Sequence, residues 1–307
     1  MTFFNYLKNI FLLLLVLQLA PPMLESIRKQ WGFLLEPRTK VAVIDVKGAI
    51  YNADPYHKQL YNYFNDPSIK AILLKMDCPG GSSGSAQSIY QEILTLKKEH
   101  AKPIITLIEN VCASGGYYIA SATDYIIAPG SALVGSIGTS FPYLFKIKDF
   151  LDQFKIYNEP LKSGAYKDAT NPFVGMSPEE KAMLQGLLDN AYKQFIHDVA
   201  LCRKLSLATS ATWADGKLFT AQQAQELGLI DAVGSPSMAT SIIKEKALIE
   251  GEIEWIRKKE PSGFARMFGA DDHEDNTTMF SSQFQSAVHY LSALLQELMP
   301  AAFLFAK

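Results

Sequence analysis

The residues most able to do chemistry lie in Val111–Ala120, V-C-A-S-G-G-Y-Y-I-A. A serine, Ser114, stands before two glycines where an apolar strand gives way to an apolar helical pattern. At such a junction the hydroxyl can face a cleft, and the next backbone N–H can face the same way and stabilise an oxyanion. Gly115 and Gly116 let backbone or substrate approach closely. The plainer alternative is an N-cap serine followed by packing glycines. A second stretch strengthens the chemical reading. Asp77–Ser85, D-C-P-G-G-S-S-G-S, also follows an apolar strand and also leads into a helix. Its Pro79-Gly80-Gly81 turn offers further N–H donors. One donor from each turn, at Gly81 and Gly115, makes an oxyanion hole at the sheet edge where ligands of open α/β folds bind.

A serine hydroxyl needs a base before it attacks a carbonyl. The histidines are His57, His100, His197, His273 and His289, and none lies in either turn. A lysine is an accepted substitute if it is neutral, which requires its pKa to fall through burial or nearby positive charge. Lys162 and Lys167 both lie on a loop-like stretch and both remain candidates. Ser136, in the Gly-rich run Pro129–Ser140, is either a hydrogen-bond orienter for such a lysine or an ordinary turn serine. Cys78 and Cys112 flank the turns, and small apolar packing is the favoured reading for both. Tyr117, Ile137 and Phe141 are expected to give the site an apolar wall.

The surrounding pattern must position these groups. Val41–Val46, Ser68–Met76, Pro103–Glu109 and Asp124–Ala128 read as buried strands with helical stretches between them. That β-α-β-α-β alternation predicts an α/β fold with a mainly parallel sheet. Lys155–Leu161 is a further strand candidate, with a helix expected over Leu144–Phe154. Ser177-Pro-Glu-Glu180 predicts a helix start by capping box, and the helix carries one broad apolar stripe to about residue 205. A helix over Gln222–Leu227 should stop at Gly228, followed by a strand at Leu229–Val233. A helix over Ser237–Ile249 and a strand at Glu252–Ile256 complete the series.

Four motifs in order, P-G-G, A-S-G-G-Y-Y-I-A, S-G-A-Y-K-D at Ser163–Asp168, and D-G-K-L-F-T-A-Q-Q-A-Q-E-L-G-L-I-D at Asp215–Asp231, resemble the signal peptide peptidase A family of protease IV type. The resemblance covers roughly residues 40–233. It implies a ClpP/crotonase fold of repeated β-α-β units and selects Lys167 over Lys162 as base for Ser114. It also implies hydrophobic peptide substrates such as released signal peptides, and ring-like homo-oligomers in which neighbouring subunits share a site. It places the catalytic part outside the cytoplasm. No metal or cofactor is implied. Rival readings are a same-fold protease acting on other membrane proteins, an acyl-CoA enzyme using acidic residues, and an inactive peptide-binding scaffold.

Beyond the motifs, the ends differ from the middle. Ile10–Ala20 is an apolar run, and Asn9–Leu24 reaches the lower limit of a membrane span. It reads as an uncleaved anchor or as a cleaved signal peptide, and the lack of a small-x-small site favours the anchor. Lys8 precedes the run, whereas Arg28, Lys29, Arg38 and Lys40 follow it. The positive-inside rule thus points to a cytoplasmic catalytic part, opposite to the family expectation. Residues 1–38 are read as anchor and linker, 39–257 as the catalytic domain, and 258–307 as a polar linker with an amphipathic helix over Phe284–Met299. The D-D-H-E-D run at Asp271–Asp275 reads as solvated linker and not as a metal site. The chain has 307 residues, 48% of them hydrophobic, with net charge −2. That is enough for a sizeable core and gives no electrostatic support for nucleic-acid binding. The cysteines Cys78, Cys112 and Cys202 form neither a metal-ligand spacing nor an even disulfide set.

Overall fold

Strand β2 (Ile69–Cys78, I-K-A-I-L-L-K-M-D-C) is buried along almost its whole length. A near-continuous apolar run of this kind belongs inside a parallel sheet covered on both faces. The computed structural model describes residues 2–31, 38–141 and 144–258. Among these, β2 pairs in parallel with β1 (Thr39–Lys47) on one side and β3 (Ile104–Ala113) on the other. Helices α2 (Asp54–Asn65) and α3 (Ser83–Glu99) make the crossovers. β1 also pairs in parallel with β8 (Ile253–Arg257), the sheet edge. The far side of β3 is divided. Its first half pairs with β4 (Tyr125–Ala128) and its last residues with β5 (Leu133–Gly135), both parallel. β6 (Leu218–Thr220) adds to β5 antiparallel, and β7 (Ala232–Val233) adds to β4 in parallel. The result is an eight-stranded, mainly parallel α/β sheet.

Side chains alternate between the two sheet faces. On one face Ile44, Ile72, Met76 and Ile108 join a core with α2, α3, α4 (Gly115–Ser121) and α6 (Pro178–Arg203). On the other, Val43, Leu73 and Leu107 pack with α9 (Pro236–Lys246) through Ala239 and Ile243. Short helices α5 (Lys148–Gln153), α7 (Ser210–Trp213) and α8 (Ala221–Glu226) lie on the connections. Helix α6 starts as expected: Ser177 Oγ accepts from the Glu180 N–H at 3.1 Å, and Glu180 Oε2 accepts from the Ser177 N–H at 2.8 Å. Lys155–Leu161 is not a strand, and α5 is shorter than its pattern suggested. β5, three residues long, falls inside a stretch that reads as loop, and β6, equally short, falls within the Asp215–Asp231 motif. Helix α1 (Thr2–Trp31) contains Asn5–Met23, long and apolar enough to cross a membrane by length and composition. It runs through Pro21 and Pro22. The expected amphipathic helix over Phe284–Met299 lies outside the described residues.

Two polar joints hold the pieces together. Lys102 Nζ donates to the carbonyls of Tyr63, Phe64 and Asp66 at 2.6, 3.0 and 2.8 Å, which satisfies the open C-terminus of α2. At the end of α6, Arg203 forms a fork on Asp231 at 2.9 and 3.0 Å and donates to the Gly228 carbonyl at 3.2 Å. Asp231 also accepts from the Ile126 N–H at 2.7 Å, and the Tyr117 hydroxyl donates to the Leu229 carbonyl at 2.7 Å. The G-L-I-D segment therefore ties α4, α6 and β4 together. The Arg203 side chain is only 9% exposed. Its replacement by methionine leaves the partly exposed Asp231 carboxylate with only the Ile126 N–H as partner among the described residues and is expected to cost about 1–3 kcal/mol. The urea-unfolding midpoint measures this. A loss below about 1 kcal/mol, the surface-pair range, would contradict the role given to the joint.

Candidate active site

The two glycine turns meet at the C-terminal ends of β2 and β3. A Cβ on Gly80 would lie 2.8 Å from Ser114 Cβ and 3.1 Å from the Gly115 nitrogen. A Cβ on Gly115 would lie 3.0 Å from Ala86 Cβ and 3.5 Å from the Gly81 nitrogen. Only bare backbone fits between the turns. The Gly80-Gly81 turn is fixed from behind: the Ile50 N–H donates to the Gly80 carbonyl at 2.8 Å, and the Ser82 N–H donates to the Ile50 carbonyl at 2.7 Å. Those bonds leave the Gly81 N–H with no partner among the described residues. A Cβ on Gly81, where φ is +152°, would stand 2.1 Å from the Ile50 oxygen. The Gly115 N–H is the first of α4 and has no partner within that helix.

Ser114 occupies φ 51°, ψ −123°, a conformation that costs a residue with a Cβ roughly 1–3 kcal/mol. Two bonds hold it there: its N–H donates to the Gly135 carbonyl at 2.8 Å, and its carbonyl accepts from the Tyr118 N–H at 2.9 Å. Its hydroxyl makes no hydrogen bond among the described residues, so it is not acting as a side-chain N-cap. The half-buried residue thus presents a free hydroxyl beside two unpaired N–H groups.

β5 explains how Ser136 comes near. Ala113 and Gly135 are ladder partners, so Ser114 and Ser136 follow directly from paired positions. Ser136 has φ 48°, and its N–H donates to the Lys217 carbonyl at 2.7 Å. A Cβ on Gly135 would touch Phe219 at 2.9 Å. The D-G-K-L-F residues therefore brace the loop that braces Ser114. Of the expected apolar wall, Tyr117 belongs to the core: it is fully buried with its hydroxyl committed to Leu229. Ile137 is fully buried too, but it borders a pocket of about 290 Å³ shared with Leu188, Tyr192 and Gly216. Phe141 is half-buried.

The two lysines part company. Lys162 binds Asp168 and lies 3.7 Å from Glu180. The hydrogen bond to Asp168 raises its pKa, against desolvation and with added help from both carboxylate charges. Lys167 is exposed, and its ammonium meets no hydrogen-bond or ion-pair partner among the described residues; no bond joins it to Ser114 or Ser136 within the single chain. Its loop belongs to a segment that displays Phe150, Phe154, Tyr157, Leu161, Tyr166 and Phe173 at 45–100% exposure. The crowding of aromatics between Phe141 and Phe173 was the available sequence signal for that face.

Cys78 and Cys112 are ladder partners on β2 and β3, and both are fully buried. Burial pushes the Cys78 thiol up and the Cys112 thiol well up. That removes Cys112 as a nucleophile, since the thiolate is the reactive form. A maleimide reagent at neutral pH is expected to modify at most Cys202 in the native chain and all three thiols after denaturation, as mass spectrometry would show. Native labelling of Cys112 would contradict the burial argument.

Comparison with known proteins agrees with the sequence motifs. The model of peptidase family S49 matches residues 96–250. A Synechocystis protein named provisionally as a protease is 35% identical over 208 residues, covering 67% of this chain and 73% of that protein. An Enterococcus faecium protein named provisionally as signal peptide peptidase SppA is 34% identical over 217 residues, covering 70% and 62%. The chloroplastic serine protease SPPA of Arabidopsis thaliana is 30% identical over 236 residues, covering 72% of this chain and 34% of its own length.

Proposed function

This chain belongs to peptidase family S49, and from that premise we propose that it is a membrane-associated serine endopeptidase with Ser114 as nucleophile and Lys167 as base. The observation that carries the proposal is Ser114 itself: a strained residue with a free hydroxyl, wedged against a glycine turn whose Gly81 N–H is unpaired. Strain of this kind persists where the surroundings enforce it, and it clusters at functional sites.

The steps follow from those groups. Lys167 takes the proton of Ser114 as Oγ attacks a peptide carbonyl. The Gly81 and Gly115 N–H groups hold the resulting oxyanion. Lys167 returns the proton to the departing amine, the C–N bond breaks, and an acyl-enzyme remains. Water then gives a proton to Lys167 as it attacks the acyl carbonyl, the C–Oγ bond breaks, and Lys167 passes that proton to Oγ, which releases the acid and regenerates Ser114. In this proposal Ser136, which follows Gly135 as Ser114 follows its ladder partner Ala113, orients the lysine. Hydrophobic peptides such as released signal peptides fit the relatives' names and the membrane association that α1 supports. We place the catalytic part on the extracytoplasmic side, as the family resemblance implies.

A site shared between subunits accounts for the exposed, unpartnered Lys167 on an aromatic-rich surface. Exposed apolar area of this extent marks an interaction face. In this proposal a neighbouring copy covers the loop, and Lys167 serves that copy's Ser114. Mixing tests both dyad and sharing. Inactive Ser114→Ala and Lys167→Ala chains, co-assembled in equal amounts, should regain about a quarter of wild-type activity if each site joins two subunits head to tail. No recovery from a verified mixed oligomer would refute the shared site. Undiminished activity in either variant alone would refute the dyad.

A further inference from the structure

The sheet face opposite Ser114's helices is only partly roofed. Helix α9 covers Leu73, Leu107 and their neighbours on one side. Beside it a groove of about 710 Å³ stays open, lined by Leu73, Leu107, Pro129, Pro236 and Trp255. Trp255 is 38% exposed. Toward the strand ends a row of charges crosses four strands. Arg257 meets Asp45 at 3.0 Å, and Lys75 lies 3.8 Å from Asp45 and 2.5 Å from Glu109. Lys75, Glu109 and Arg257 also line the groove, so it is part apolar and part charged. Mainly parallel sheets ordinarily have both faces covered, and an open groove on this face calls for an occupant.

The wall of the groove is β8, and β8 is the last described element. From Arg257 the chain continues with a polar stretch, residues 259–283, and then Phe284, Ala287, Val288, Leu291, Leu294, Leu295 and Leu298 recur at helical spacing. We infer that the groove beside α9 is the docking site of the chain's own residues 284–299, whose apolar stripe packs against the partly exposed Trp255. Three considerations select this occupant over a second copy or a lipid surface. The segment is tethered to the strand that walls the groove, and a flexible tether gives an effective concentration of order millimolar. An isolated helix of this length is marginal in water and needs an apolar surface to form on. The acidic run Asp271, Asp272, Glu274 and Asp275 lies in the connecting stretch, and Arg257 at the groove is 53% exposed.

Cross-linking in the full-length, detergent-solubilised chain tests the docking. In a Cys202→Ser background, Trp255→Cys is combined with Leu291→Cys on the apolar stripe or with His289→Cys on the opposite face. Mild oxidation is expected to form an intrachain disulfide several-fold faster for the Leu291 pair. A disulfide between chains would assign the groove to a neighbouring copy and overturn the inference, as would equally slow reaction of both pairs. A second measurement leaves Trp255 in place. In a Trp31→Phe chain, ending the polypeptide after Lys258 is expected to raise acrylamide quenching of Trp255 several-fold, with buried Trp213 as internal reference. Unchanged quenching would overturn the inference independently of the cross-link.

Discussion

Replacing Ser114 with glycine is expected to abolish peptide hydrolysis and to make the protein more stable. Loss of the nucleophile should lower kcat by about 10⁴–10⁶-fold, leaving only binding and oxyanion contributions. The stability change has the opposite sign because of the backbone. At φ 51°, ψ −123° a side chain is strained by roughly 1–3 kcal/mol. Glycine removes that strain and gives back about 0.4–1 kcal/mol through its looser unfolded state. The net gain corresponds to a rise in Tm of a few degrees, on a scale of about 2–4 °C per kcal/mol. Ser114→Ala separates the two effects, since it removes the hydroxyl and keeps the Cβ. It should lose the same activity with Tm almost unchanged. A lower Tm for Ser114→Gly would mean that the strain is not there to be relieved.

The second large effect distinguishes the lysines. Lys167→Met is expected to lower kcat/KM by about 10²–10⁴-fold, the usual contribution of a positioned base. Its side chain is exposed and bonded to nothing described, so the fold should be unaffected. Lys162→Met should keep activity within several-fold. Lys162 is held charged by Asp168 and faces Glu180, the opposite of what a base requires. The sign follows from the raised pKa: stability from the Lys162–Asp168 pair is present at neutral pH and fades only as pH climbs through the raised value. Lys162→Met should therefore lower Tm at pH 7 and converge on wild type in strong alkali. A dead Lys162→Met beside an active Lys167→Met would reverse the assignment.

What the sequence disclosed tracks the reach of each interaction. β2 and β3 were legible because long apolar runs bounded by turns have few other uses. The start of α6 was legible because Ser177 and Glu180 bond each other across one turn. The proximity of the two glycine turns was legible too, since consecutive β-α units deliver their turns to the same sheet edge. β5 and β6 were not, because three residues carry no period and their pairing depends on partners about 85 positions apart, as in Val134 with Phe219. Tyr117 looked like a pocket wall because sequence proximity to Ser114 cannot tell which way a helix turns a side chain. Its contact with Leu229 decided that it faces the core. The Lys155–Leu161 strand failed because its apolar residues face outward.

Activity-based labelling tests the central claim most directly. The intact, detergent-solubilised chain is treated with a fluorophosphonate, digested, and the adduct is located by mass spectrometry. The account predicts one covalent adduct, on Ser114 Oγ, absent from Ser114→Ala and strongly slowed in Lys167→Ala. An adduct on any other residue, or a wild-type protein that cleaves hydrophobic peptides while Ser114→Ala cleaves them equally well, would contradict it.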